Sequence, residues 1–397
     1  MYTCKDTNIT VLTLNTNRPG FRQRETVVYH CLQRLIAANP ISGSRLKFLY
    51  LYIAITGKMI SLSNKAGDKV QCLLCPHNCI IGDGKTGICK VRKNNEGTIV
   101  LLTYGVISGY ALDPIEKKPL YHFFPGTNIL SLGSYGCNMR CDFCQNYNIS
   151  QRTAAGFTAK TEPEKIIKDA QSALHNIGIA FTYNEPVIWF EFIRDVALKA
   201  RKKGLRTVMV SNGYVNKEPL EEIISFTDAF NIDLKSFNND FYKKLTGADI
   251  EPVKNSLRQI AKSGKHLEIT SLIIPGHNDD ENEMAMQSEW IAGELGKDTP
   301  FHLSRYFPMY KREDPATPHT TLMKLAETAS KSLTYVYVGN MVSDAGQNTK
   351  CPRCGMVVTR RSRYHIKLQN LDQKGNCTGC GTSIYRNFTS FSSTIKN

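Results

Sequence analysis

The sequence predicts an α/β chain: a partial (β/α) barrel between an N-terminal cysteine module and a C-terminal pair of cysteine knuckles. Three observations predict it. Apolar strand-like runs alternate with amphipathic helical runs from Ile129 to Val338, the pattern of parallel strands joined by helical crossovers. Polar or ligand-type residues close one strand after another, as they do on the rim of a barrel. Of 13 cysteines, all but Cys4 and Cys31 fall into tight clusters with metal-ligand spacing. A doubly wound sheet would share the alternation; the polar strand ends favour the barrel.

Residues 1–58 read as a leader without a folded role, Arg-rich and acid-poor, with Met59 as the natural start. The apolar run from Phe48 to Ile55 is far shorter than the roughly 20 residues that span a bilayer, so no membrane partner is expected. Residues 59–125 hold a four-cysteine module and short strands, from Thr98 to Thr103 and from Val106 to Ala111. Cys72, Cys75, Cys79 and Cys89, in the pattern C-x2-C-x3-C-x9-C, suit zinc or an auxiliary iron–sulfur cluster. The stretch DPIEKKPLYHF, Asp113 to Phe123, is polar and bracketed by prolines and reads as a loop or turn, either lining a substrate mouth through Glu116, Lys117 and His122 or forming a surface hairpin.

Residues 126–342 form the barrel. A strand from Ile129 to Ser134 enters the loop of Cys137, Cys141 and Cys144. A helix from Pro163 to Ile177, stopped by Gly178, is followed by a strand from Ile179 to Tyr183. Helices then begin at Pro186, Lys217, Pro252, Glu281 and Thr320, with strands near Arg206–Val210, Ala229–Leu234, Leu267–Ile274, Phe301–Phe307 and Tyr335–Val338. The strands end in Asn184-Glu185, Ser211-Asn212, Asp233 with Lys235, Pro275-Gly276-His277, and His302 with Arg305. Asn-Gly and Pro-Gly are ordinary turn pairs, but so many polar ends on one rim exceed what capping explains.

The C-x3-C-x2-C loop is the chemical centre. Three thiolates can hold three irons of a cubane and leave the fourth open, as catalytic metal sites leave a position open. A zinc knuckle would want a fourth ligand and paired C-x2-C spacing. The 4Fe–4S reading brings S-adenosylmethionine (SAM) as the molecule for the open iron, with Phe143, Asn184, Glu185, Ser211 and Asn212 as its contacts. Asp233 and Lys235, alternate residues on one face, are catalytic candidates or a structural pair.

Residues 343–390 carry Cys351-Pro-Arg-Cys354-Gly and Cys377-Thr-Gly-Cys380-Gly, a zinc-ribbon-like module, with a rubredoxin-like iron site as the alternative. Arg360, Arg361, Arg363, Tyr364, His365 and Lys367 between the knuckles could grip nucleic acid or merely face solvent.

Cys137, Cys141 and Cys144, with an aromatic residue before the third, resemble the radical SAM signature. The region from Cys137 to about Gly276 resembles glycyl-radical activases such as the pyruvate formate-lyase activating enzyme, including Asp233-Leu234-Lys235 and Leu245-Thr246-Gly247. Where those activases carry Gly-Gly-Glu-Pro, this chain has Tyr183-Asn184-Glu185-Pro186. CLLCPHNC, DPIEKKPLYHF, GCNMRCDFCQN and TYNEP are similar to the radical SAM enzyme of the AmmeMemoRadiSam system. The resemblance implies a radical SAM barrel, an oxidoreductase that splits SAM to a 5′-deoxyadenosyl radical, and a protein or small-molecule substrate. An RNA-modifying radical SAM enzyme and a non-catalytic zinc protein that binds nucleic acid are the alternatives. The net charge of +15 fits an acidic partner: an electron donor such as flavodoxin or ferredoxin, or nucleic acid. Clustered thiols without a secretory signal place the chain in a reducing compartment, the cytoplasm.

Overall fold

The computed structural model describes residues 2–4, 9–11, 62–153, 159–341, 345–362 and 364–389. The chain divides into two units, Met1–Ser61 and Leu62–Asn397. In the first, Tyr2–Cys4 pairs antiparallel with Ile9–Val11; the leader reading of residues 1–58 otherwise lies outside the described residues. Among the described residues no helix is long and apolar enough to cross a membrane.

The second unit is built on an eight-stranded sheet. Its strands are β1 (Gly109–Pro114), β2 (Asn128–Gly133), β3 (Asn176–Phe181), β4 (Arg206–Ser211), β5 (Ala229–Asp233), β6 (His266–Ile273), β7 (Phe301–Arg305) and β8 (Val336–Gly339). They lie side by side in chain order. β2 to β8 are all parallel, and β1 adds to the β2 edge antiparallel. Among the described residues no pairing joins β8 to β1.

The crossovers carry α1 (Pro163–Ser172), α2 (Phe190–Lys202), α3 (Lys217–Phe226), α4 (Ile250–Lys262), α5 (Glu281–Glu294) and α6 (His319–Ala329). In α4 the apolar residues Ile250, Val253, Leu257 and Ile260 recur at helical spacing and are all buried. Each such side chain contributes about 1.5–3 kcal/mol when fully buried. They join the main core with β-branched strand residues such as Ile232 and Ile269.

Three expectations change. The first helix stops at Ser172, not Ile177, because β3 begins at Asn176 and draws Ile177 into the sheet; Leu174 is left 73% exposed. The strand expected from Val106 to Ala111 runs instead from Gly109 to Pro114, held by pairing through to Asn128 on β2. Pro114 sits at an edge, where its missing N–H costs no ladder bond. Asp113–Phe123 is therefore not a surface loop: Ile115, Leu120 and Phe123 are buried with Ile129, Ala180 and Val208 at the base of the sheet.

Before the barrel, Ser63–Ala66, Lys69–Cys72 and Ile80–Ile81 form a small antiparallel sheet, and Arg92–Asn95 pairs with Thr98–Leu101. After it, Thr349–Lys350, Val357–Ser362 and His365–Leu368 form another. Arg361 faces inward there and is buried, donating to the carbonyls of Tyr121 (3.0 Å) and Gln347 (3.1 Å) with its guanidinium 4.1 Å from the Tyr121 ring. It ties the C-terminal module to the barrel and is not a free cation; Arg360, Tyr364, His365 and Lys367 are exposed, and Arg363 lies outside the described residues.

Candidate functional site

One cavity of about 360 Å³ opens at the C-terminal ends of the strands. Cys137, Cys141, Cys144, Phe143, Asn184, Glu185, Ser211, Asn212, Asp233 and Lys235 all line it, contributed by four successive strand ends. The sequence scatters these residues; parallel register alone gathers them.

The cysteine loop is fixed from every side. Gly136 has φ +85°, and a Cβ there would stand 2.6 Å from the carbonyl oxygen of Cys89. Only glycine allows that approach. Asn138 is fully buried: its Nδ2 donates to Tyr214 O at 2.7 Å, its Oδ1 accepts from Asn212 Nδ2 at 2.9 Å, and His77 Nε2 contacts its carbonyl at 2.7 Å. The amides of Arg140 and Asp142 donate to the carbonyls of Thr246 and Leu245. Met139 N donates to Cys137 Sγ at 3.3 Å, and Cys144 Sγ lies 3.1 Å from Ser150 Oγ.

Asn184 follows β3 and spans the loop entrance. Its Oδ1 accepts from Ser134 N (2.9 Å) and its Nδ2 donates to Gly136 O (3.0 Å). Glu185 is buried, and its carboxylate accepts from Val187 N (2.9 Å), Ser211 Oγ (2.7 Å) and Asn212 N (2.8 Å). Burial raises its pKa to about 7 against those donors. In this structure Asn184 and Glu185 thus brace the loop and the end of β4. Ser211 and Asn212 also spend their side chains internally, Asn212 Oδ1 accepting from Tyr214 N at 2.9 Å.

Lys235 Nζ donates to Asp233 Oδ2 at 2.7 Å. Burial opposes the Lys235 charge, but Asp233 and the Cys141 sulfur hold the ammonium above its usual range. The Phe143 ring is buried, 5.9 Å from the Phe241 ring.

The donor set tests the fit of a cluster. The three thiols are free, and burial pushes Cys141 up to about 12. Burial raises Cys137 as well, so a cation in the cavity that these two and Cys144 line would favour the ionised form of both buried thiols. Among the described residues, Cys351, Cys354, Cys377 and Cys380 are the one set of three or more potential ligands whose atoms all lie within 4.8 Å of one another. Two of their sulfur pairs stand at 3.4 and 3.6 Å. Zn–S bonds of about 2.3 Å put tetrahedral sulfurs about 3.8 Å apart, so a single ion fits that set. The barrel cysteines are spread more widely, as ligands to separate irons are. Cys72, Cys75, Cys79 and Cys89 share one module, the amide of Cys72 donating to Cys79 O at 2.9 Å, and burial raises Cys75 to about 12. Their sulfurs too lie outside single-ion spacing.

Of the candidates for the substrate mouth, Lys117 lines the cavity and Glu116 and His122 do not; sequence reasoning missed Lys118 and Tyr183, which also line it, and Asn138, which lies inside the cysteine signature. The proline-bracketed polarity of DPIEKK was the available signal; its inward direction was not.

The family model of the radical SAM superfamily matches residues 132–288, the span from the end of β2 into α5. An uncharacterized protein of Methanocaldococcus jannaschii is 41% identical over 322 residues, covering 80% of this chain and 95% of that protein. The pyruvate formate-lyase 1-activating enzyme of Escherichia coli is 24% identical over 185 residues, 45% of this chain and 74% of the enzyme. A solved domain of the pyruvate-formate lyase-activating enzyme from Bacteroides vulgatus aligns at TM-score 0.37 and 20% identity, over 41% of this chain and 99% of that one. The chain belongs to one family with the M. jannaschii protein, and its residues 132–288 form a domain of the radical SAM superfamily, similar to the glycyl-radical activating enzymes.

Proposed function

We propose that this chain is a radical SAM oxidoreductase, activase-like, acting on a protein or small-molecule substrate within the AmmeMemoRadiSam system. The observation that carries the reading is the meeting of three free thiols and the polar ends of β3, β4 and β5 in one cavity. Cys137, Cys141 and Cys144 would hold the 4Fe–4S cluster. When bound, cluster and SAM together supply a 5′-deoxyadenosyl radical able to abstract hydrogen.

The chain's own residues bind and orient. Asn184 and Glu185 set the main chain that meets the SAM ammonium group, their side chains bracing that chain from behind. Ser211 and Asn212 do the same for the ribose or carboxylate. Lys235, its charge held by Asp233, offers a cation to the SAM carboxylate. Phe143 excludes water from the thiolates. Zinc suits the C-terminal knuckles; of the two expectations for Cys72, Cys75, Cys79 and Cys89, zinc or an auxiliary cluster, their wider spacing favours the cluster. The basic surface suits an acidic electron donor such as flavodoxin or ferredoxin, in a cytoplasmic setting.

The test is 5′-deoxyadenosine formation from SAM by anaerobically reconstituted protein under dithionite. The reading expects product from the wild type and none from Cys141→Ala; product from Cys141→Ala, or none from either, overturns it.

A further inference from the structure

The segment left without a role in the sequence carries a second chemistry. Pro114 pairs with Asn128, the first residue of β2, so the turn after it lies at the opposite end of the sheet from the cysteine loop. Lys117 and Lys118 nevertheless line the same cavity, with Tyr183 between them and the strand ends. Asp113 accepts from Lys117 Nζ at 2.9 Å, Lys118 Nζ at 2.8 Å and Tyr183 OH at 2.6 Å. Two ammonium groups share one carboxylate, which leaves one positive charge over. The Lys118 side chain is only 2% exposed, and its ammonium stands 4.7 Å from the Tyr183 ring centre.

Lys118 and Asp113 are the buried pair, burial working against the Lys118 charge and the Asp113 contact supporting it, while the surplus charge lies on Lys117, whose side chain is 46% exposed; an anion beside the two lysines would favour the charged form of both. The wall around it is specially built. Tyr183 adopts φ +72°, rare for a tyrosine. Its side chain lies across Gly109 and Gly133, where an added Cβ would meet it at 2.8 and 2.9 Å. Two glycines and a strained backbone lay one ring along the cavity so that its hydroxyl reaches Asp113. Among the other residues lining the cavity, Thr270 and Ser304 are neutral, Asp233 is paired with Lys235, and the Glu185 carboxylate is held by Val187 N, Ser211 Oγ and Asn212 N.

We infer that Lys117 and Lys118, oriented by Asp113 and Tyr183, form an oxyanion subsite on the cavity floor that takes a carboxylate or phosphate group of the substrate. The inference rests on the radical SAM reading only for calling the occupant a substrate; the subsite stands or falls on binding. An anion there supplies the missing counter-charge and points the rest of the molecule up toward the SAM side of the cavity.

The experiment titrates inorganic phosphate and, separately, glutarate into the full-length, anaerobically reconstituted protein by calorimetry, with and without saturating SAM. Saturable binding of either is expected, unaffected by SAM, and the preferred ion tells phosphate from carboxylate. Lys118→Met should weaken it by roughly tenfold or more, and Lys118→Arg should restore most of it. Asp113→Asn should tighten it, because removing the shared carboxylate leaves two cations for the ligand. Should Lys118→Met fail to fold, Lys117→Met at the more exposed lysine gives the same comparison. No saturable binding of either ion, competition by SAM, or equal affinity in the lysine variants overturns the inference. 5′-Deoxyadenosine yield from the same wild-type preparation reports separately on the radical SAM reading.

Discussion

Asn212 Nδ2 donates to Asn138 Oδ1 at 2.9 Å, joining the residue just past β4 to the middle of the cysteine loop 74 positions earlier. Asn138 passes the restraint on to Tyr214 through its own amide. The thiolate loop is therefore shaped by the barrel and not by its local sequence alone.

Asn212→Ala should expose that dependence. It strips Asn138 of a donor and Tyr214 N of its acceptor, both buried. The expected cost is about 1–3 kcal/mol, read by denaturant unfolding, together with lower iron content after reconstitution. Unchanged stability and iron would show that the loop holds itself.

Gly136→Ala should be more severe. The new Cβ would sit 2.6 Å from a backbone oxygen that cannot rotate away, at φ +85°. A loss of about 3 kcal/mol and failure to retain iron are expected. Gly264→Ala provides the control, since it shares the positive φ but has nothing within 4 Å of the added atom.

Much of this was legible in the sequence. The cysteine spacing, the strand–helix alternation and the polar strand ends were local signals, and local signals survive folding. What could not be read was long-range. Nothing near Gly136 announces Cys89, and nothing near Asn138 announces His77. Arg361 looked like one more cation in a basic stretch; strand alternation turns it inward while Arg360 faces out, and period two alone does not say which face is buried. Lys118 was hidden as well: it stands in a proline-bracketed stretch, and its contacts with Asp113 and the Tyr183 ring form only once β1 and β3 flank β2.

The buried His122 gives a pH prediction. Burial lowers its pKa to about 3, against an unfolded value of 6.5. Its Nε2 lies 2.6 Å from Tyr337 OH. Below pH 6.5 the unfolded chain binds a proton that the folded chain refuses, so stability present above pH 6.5 is lost as pH falls toward 3. The slope from this one group approaches about 1.4 kcal/mol per pH unit. His122→Gln should flatten the decline between pH 6.5 and 4.5 in chemical-denaturation curves; an unaltered slope would show that His122 does not drive it.

Cys354→Ser should separate the C-terminal metal from the barrel. Loss of one zinc per chain, with iron content retained, is the expected elemental analysis. Loss of iron in parallel would mean that the knuckles and the barrel do not bind metal independently.

The central claim is a cluster held by three protein thiolates with its fourth iron open to SAM. Electron paramagnetic resonance of the dithionite-reduced, anaerobically reconstituted protein tests it most directly. A 4Fe–4S signal that shifts on adding SAM, and that is missing from Cys141→Ala once any signal from Cys72, Cys75, Cys79 and Cys89 is removed by substitution, is the predicted result. A signal indifferent to SAM, or no such cluster at all, would contradict it.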